Sequence, residues 1–244
     1  MSAELRGLTV HIATDRWRET VVDSVDLVVP DGRITALLGA SGCGKSMVAA
    51  ALAGRLPASA QRTGEIRLAD VPVRDRRPAA GDVVGFLPQD GVRAFDPDET
   101  VGRQLRARER RYGAWSLDRA CAAAHYPHDA FDLLPAQHSG GQIQRAALAA
   151  ALLPAPGVLV VDEPTASLER DTAYPVWKTL RAYADAGAAV LAITHDVALL
   201  LATAFADDMV VMRDGRTVVS GCPAQLLGNT DPYVRGLFRP VCPP

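Results

Sequence analysis

Gly39-Ala40-Ser41-Gly42-Cys43-Gly44-Lys45-Ser46 spells G-x-x-x-x-G-K-S, a spacing suited to gripping the phosphates of a nucleotide. Glycines at 39, 42 and 44 let the backbone turn with its N–H groups facing inward. Those donors, with the positive end of the helix that follows, hold phosphate oxygens. Lys45 is then placed to reach the β- and γ-phosphates and the Ser46 hydroxyl to ligate Mg²⁺, while Ala40, Ser41, Cys43 and Met47 complete the nucleotide-binding set. A bland glycine turn is the competing reading. Asp162-Glu163 closes the apolar run Val158-Leu159-Val160-Val161, so that Asp162 can organise Mg²⁺ and Glu163 can polarise an attacking water. An acidic start to the next helix is the alternative there. His195 closes the next apolar run, on the edge where ligands of open α/β sheets gather. Ser139-Gly140-Gly141-Gln142, ahead of an Ala-rich helical run over 143–153, offers a capping hydroxyl, unhindered N–H groups and a helix dipole, a second phosphate cradle.

These residues need strands and helices to position them. The run 34–38 reads as a buried strand before the phosphate loop and 47–54 as the helix after it, stopped by Gly54 and Pro57. Short strands are expected at 8–12, 21–22, 25–29 and 64–70, and a buried strand at 83–87 ending at Pro88-Gln89. From 91 to 138 strand signals vanish, which reads as a helical subdomain inserted into the core. Its Arg103, Arg106, Arg108, Arg110 and Arg111 form a solvated face or a contact for lipid headgroups or nucleic acid. A helix over 171–186 carries Pro175 in an irregular first turn, and a hairpin turns at Asp214-Gly215. Trp17, in a charged stretch, can stack on an adenine ring or pack on the edge of a small sheet. The fold class read here is α/β: a P-loop NTPase core with an antiparallel β subdomain and an inserted α-helical subdomain.

The chain has 244 residues, 48% apolar and 22% charged, with a formal net charge of −2, so nothing in the whole-molecule charge calls for nucleic acid as a partner. Cysteines at 43, 121, 222 and 242 lack C-x-x-C spacing, which fits a reduced compartment rather than a zinc site or disulfide framework. No run reaches the roughly 20 apolar residues of a membrane span. The first residues lack the core of a signal peptide.

Taken in order, the phosphate loop, Gln89, Ser139-Gly140-Gly141-Gln142, Asp162-Glu163 and His195 resemble the ATPase subunit of ABC transporters over almost the whole chain. The resemblance implies one such domain over 1–244, its core at about 1–90 and 139–244 and its helical part at about 91–138. It implies ATP and Mg²⁺ as ligands, with Ser46, Gln89 and Asp162 around the metal and Lys45, Gln89, Glu163 and His195 in catalysis. Gln89 would sense Mg²⁺ and the transmembrane partner, and His195 would hold the γ-phosphate and water. Two ATPase subunits, alike or different, would close head to tail, Ser139 of one cradling the γ-phosphate held by Lys45 of the other. The further partners implied are two transmembrane permease subunits and, indirectly, an extracytoplasmic solute-binding protein, with the chain peripheral on the cytoplasmic face of the cell membrane. Segments 56–66, Ala94-Phe95-Asp96-Pro97 and 231–238 look like the dipeptide, oligopeptide and nickel importers. A chain ending at Pro244 without a cysteine-rich tail is closer in length to the nickel and metal-chelate branch. Four positions depart from the pattern: His138 replaces a leucine, Glu169 an aspartate and Cys43 a common serine, and Trp17 is offset from the usual adenine-stacking aromatic. Cys43 implies sensitivity to thiol reagents. An exporter subunit, a soluble non-transport ATPase acting on nucleic acid or ribosomes, and a non-hydrolysing regulatory module are the rival readings.

Overall fold

The computed structural model describes residues 1–13, 17–69, 71–72, 84–168 and 170–238. The arginine-rich loop 74–81, Val83, Glu169 and Cys242 lie outside them. Two sheets carry the chain. The smaller is antiparallel, in the order β2-β1-β4-β5, from β1 (Ala3–Ala13), β2 (Arg18–Val29), β4 (Ala60–Leu68) and β5 (Val71–Pro72). The larger runs β10-β9-β3-β8-β7-β6, from β3 (Ile34–Gly39), β6 (Val84–Leu87), β7 (Val158–Asp162), β8 (Ala189–Ile193), β9 (Asp208–Arg213) and β10 (Arg216–Gly221). Its strands pair in parallel except for the β9–β10 hairpin, where Asp214 and Gly215 both take positive φ, as a type I′ turn requires.

Successive strand residues point to opposite faces, and the larger sheet divides its side chains accordingly. Ile34, Ala36, Leu159, Val161, Val190 and Ala192 enter one core, and Leu37, Val158, Val160, Leu191 and Ile193 the other. The first core is roofed by helices α4 (Gly140–Leu152), α5 (Arg170–Asp185) and α6 (Val197–Thr203), the second by α1 (Lys45–Leu52) and the antiparallel sheet. Strands buried on both faces read as unbroken apolar runs, which is why 158–161 and 189–193 show no alternation.

Between Gly91 and His138 the described backbone is helical or irregular: α2 (Val101–Tyr112), α3 (Leu117–Ala124) and three short 3₁₀ turns. Its arginines are dispersed rather than aligned. Arg103 pairs with Glu99 at 3.5 Å, Arg106 lies over Phe131, and Arg108 lies over Phe95 while donating to the Ala94 carbonyl. Two local expectations give way. The runs 21–22 and 25–29 form one strand, β2, because Ser24 takes φ 50° and absorbs an irregularity instead of ending the pairing. Pro175 sits inside α5 rather than at its first turn, and the buried Trp177 that follows, stacked 6.4 Å from Phe205, anchors the helix across the interruption.

Candidate functional site

The carboxyl ends of β3, β6, β7 and β8 lie along one edge of the larger sheet, and the sequence-expected residues follow each of them: the phosphate loop after β3, Gln89 after β6, Asp162-Glu163 at β7 and His195 after β8. The loop depends on missing side chains. A Cβ on Gly44, whose φ is +102°, would lie 2.6 Å from the Val21 carbonyl oxygen, and one on Gly39 would lie 2.3 Å from the Met212 carbonyl. Lys45, the first residue of α1, folds back so that its Nζ donates to the carbonyls of Gly39 and Ala40, both at 2.8 Å. Cys43 is buried beneath the loop, 6% exposed, with its sulfur 3.7 Å from that ammonium. Burial beneath the loop narrows the approach a thiol reagent needs.

Asp162 is 3% exposed and its Oδ1 has no hydrogen-bond partner. Burial raises its pKa and neighbouring Glu163 raises it further, while a hydrogen bond from Ser46 and the charge of Lys45 oppose the rise. A buried carboxylate oxygen without a partner beside a serine hydroxyl is a donor set fitted to a hard divalent cation. Glu163, the next residue, holds φ at 50°, a conformation costing about 1–3 kcal/mol for a non-glycine residue. Its N–H donates to the Ile193 carbonyl at 2.9 Å, tying β7's end to β8. Its Oε2 meets His195 Nδ1 at 2.9 Å, with the carboxylate side chain largely buried and the imidazole exposed. A carboxylate and a histidine from neighbouring strands are thus in direct contact.

A cavity of about 420 Å³ gathers Gly39, Ser41, Gly42, Lys45, Met47, Gln89, Asp162, Glu163 and His195. Val21 lines it too; Trp17, 49% exposed, does not. Ser139–Gln142 are not among its lining residues. There the Ser139 hydroxyl accepts from Gln142 N at 3.2 Å and the Gln142 side chain accepts from Ser139 N at 2.9 Å, a reciprocal cap. Gly140 and Gly141 press on the segment after Glu163: a Cβ on Gly141 would lie 2.7 Å from Leu168 Cδ2. His138, in place of leucine, is fixed through Nδ1 to the Leu134 carbonyl at 2.9 Å and through Nε2 to the Tyr126 hydroxyl at 2.8 Å. A polar anchor has replaced an apolar one.

Sequence reasoning overlooked Gln144. It is 3% exposed, and its Nε2 donates to the carbonyls of Pro88 at 3.2 Å and Glu163 at 3.4 Å, joining the strand end that carries Gln89 to the residue that carries the carboxylate. It sits between Ile143 and Arg145, two residues after the cap residue Gln142, and nothing in that local pattern marks it as buried. Gln144→Leu keeps the bulk and removes the donor from two carbonyls, so unfolding free energy is expected to fall by about 1–3 kcal/mol. Urea melts check the first effect. Turnover of ATP falls about tenfold, the result of about 1.4 kcal/mol of misplacement at the barrier; steady-state hydrolysis checks the second.

The chain is similar to known proteins in sequence and in fold. Residues 22–166 match the family model described as ABC transporter. The peptide transport system ATP-binding protein SapD of Escherichia coli O157:H7 is 31% identical over 262 residues, covering 98% of this chain and 78% of that protein. The hemin import ATP-binding protein HmuV of Myxococcus xanthus is 34% identical over 247 residues, covering 94% of this chain and 87% of that protein. Among solved structures, the dimeric post-hydrolysis state of the ATP-binding cassette MJ0796 bound to ADP and Pi superposes with a TM-score of 0.78 at 22% identity, covering 90% of this chain and 98% of that one.

Proposed function

The chain belongs to the ABC transporter family as an ATP-hydrolysing subunit that uses ATP with Mg²⁺, and from that premise we propose that it powers import of a small solute, of the peptide, nickel or metal-chelate class, through partner permease subunits. The ATPase part of the reading is carried by the cavity that Lys45, Ser46, Gln89, Asp162, Glu163 and His195 line together, and the import part is supported by the likeness to peptide transport and hemin import ATP-binding proteins. In the proposed reaction a water oxygen attacks the γ-phosphorus, the bond to the bridging oxygen breaks, and ADP and phosphate leave. Glu163 orients the water and takes its proton through the carboxylate oxygen not engaged with His195. Lys45 and the loop N–H groups stabilise the charge that develops on the phosphate oxygens. Ser46, Asp162 and Gln89 would hold Mg²⁺, which when bound neutralises charge on the β- and γ-phosphates.

The assembly we propose places Ser139–Gln142 against the nucleotide of a second ATPase subunit, which accounts for their standing outside the chain's own cavity. Within the 1–244 domain, the helical part at 91–138 meets the permease. A cleft of about 860 Å³ between this part and the core is lined by Arg55, Arg93, Arg108 and Arg111 together with Gln89, Asp90 and Asp162, a polar floor with more positive than negative groups, suited to an acidic or carbonyl-rich helix end. Among the described residues no helix is long and apolar enough to cross a membrane, so contact with a permease at the cytoplasmic face is the proposed attachment.

Affinity purification of the tagged chain from detergent-solubilised membranes, followed by an ATPase assay of what is recovered, tests the reading. Two multi-span proteins with a second ATPase are expected. Recovery with ribosomes or nucleic acid, or a complex that expels solute from vesicles rather than accumulating it, would overturn the importer proposal.

A further inference from the structure

A segment near the chain's end, which no step above uses, reaches back to the phosphate loop. Tyr233 is the second residue of α8 (Pro232–Phe238), which follows the short α7 (Pro223–Leu227). The start of α8 is fixed by its own chain: Asn229 Oδ1 accepts from Asp231 N at 2.8 Å, and Asp231 Oδ1 accepts from Tyr233 N at 2.7 Å. Val234 is fully buried in the core against which Leu237 also packs, and the Arg213 guanidinium lies 5.5 Å from the centre of the Tyr233 ring. With the ring so held, the phenol hydroxyl accepts from the Ala40 N–H at 2.9 Å and donates to the Met212 carbonyl at 2.8 Å.

The Ala40 N–H and the Gly39 carbonyl belong to one planar peptide unit. The carbonyl accepts from Lys45 Nζ at 2.8 Å, so the plane is pinned at one end by Tyr233 and at the other by Lys45. Such a pin matters here because Gly39, at φ +150°, has no side chain to restrict rotation of that plane. Without the hydroxyl, the Ala40 N–H and the Met212 carbonyl each lose a partner, and the peptide is free to turn toward another.

We infer that Tyr233 is a positioning residue for nucleotide binding: its hydroxyl holds the Gly39–Ala40 peptide, and through it the entrance of the phosphate loop and the resting place of Lys45. The Tyr233 hydroxyl thereby sets the affinity of a site more than half the chain away in sequence. The inference rests on the reading of the loop as the nucleotide site.

Tyr233→Phe in the full chain keeps the ring, its packing and the guanidinium contact and removes only the hydroxyl. Val234→Ala is the comparison, since it loosens α8 while leaving the hydroxyl in place. ATP affinity, measured with a fluorescent ATP analogue and with ATP as competitor, is set beside KM, kcat and the melting temperature of each variant. For Tyr233→Phe, Kd and KM for ATP are expected to rise about tenfold with kcat within about twofold of the parent, the pattern of lost binding rather than lost chemistry. For Val234→Ala the melting temperature falls while Kd stays at the parent value. An unchanged Kd in Tyr233→Phe overturns the inference, as does an equal loss of affinity in Val234→Ala, which would reduce Tyr233 to packing. A parent chain that binds no ATP overturns the nucleotide-site reading itself, and is told apart because it fails before any variant is compared.

Discussion

Glu163→Gln is expected to lower ATP turnover by about 10²–10⁴-fold, the usual worth of a positioned general base, while leaving ATP binding within about threefold of the parent. The substitution is nearly isosteric. The amide oxygen can still accept from His195 Nδ1, which now meets Glu163 Oε2 at 2.9 Å, and the backbone bond to Ile193 is untouched. What disappears is the basicity that takes the proton of the attacking water. With turnover blocked and binding intact, ATP should hold two subunits together, so size-exclusion chromatography of the variant with ATP and Mg²⁺ is expected to show a dimer that the parent forms only transiently. Hydrolysis at the parent rate would place the base elsewhere in the cavity.

Lys45→Ala carries the other large effect, and on a different quantity. Its ammonium donates to the Gly39 and Ala40 carbonyls at 2.8 Å each, a position from which it can turn to phosphate oxygens without moving its own backbone. Charge-assisted hydrogen bonds are worth about 1.5–3 kcal/mol each, so the loss of two predicts a rise in Kd for ATP of about 100-fold or more. Titration of a fluorescent ATP analogue checks it, with circular dichroism to confirm that α1 remains folded. The two variants separate cleanly: one binds and does not turn over, the other does not bind.

The chemistry was legible in the sequence wherever it is carried by neighbours in the chain. The phosphate loop, Asp162-Glu163 and Ser139–Gln142 each fit within one turn or strand end, so residue type and spacing suffice, and the buried strands 158–161 and 189–193 announce their position by composition. Gln144 and Tyr233 were not legible, because their partners lie 56 and 193 positions away and neither belongs to a run with a recognisable period. Trp17 was weighed on residue type as an adenine platform or a sheet-edge residue; it stands outside the phosphate-loop cavity, which Val21 of β2 lines. Cys43 was read by its reactivity, but three glycines around it give a loop so tight that its sulfur faces inward. The arginines of α2 looked like a common face in sequence and are divided: Arg103 and Arg106 lie on Glu99 and Phe131, while Arg108 and Arg111, over Phe95 and Tyr112, line the cleft toward the core.

The bond pattern of Gln144 bears on how such a chain can change over generations. One amide serves both the strand end beside the cleft proposed to meet the permease and the backbone of Glu163, the proposed base. A lineage that adapts to a new permease by reshaping 88–94 therefore shifts the ground under Glu163 in the same step, and one that retunes hydrolysis disturbs the docking surface. Neither property is free to drift alone, and a successful change of partner calls for compensating substitutions in α4, a helix that itself touches neither solute nor membrane in this scheme.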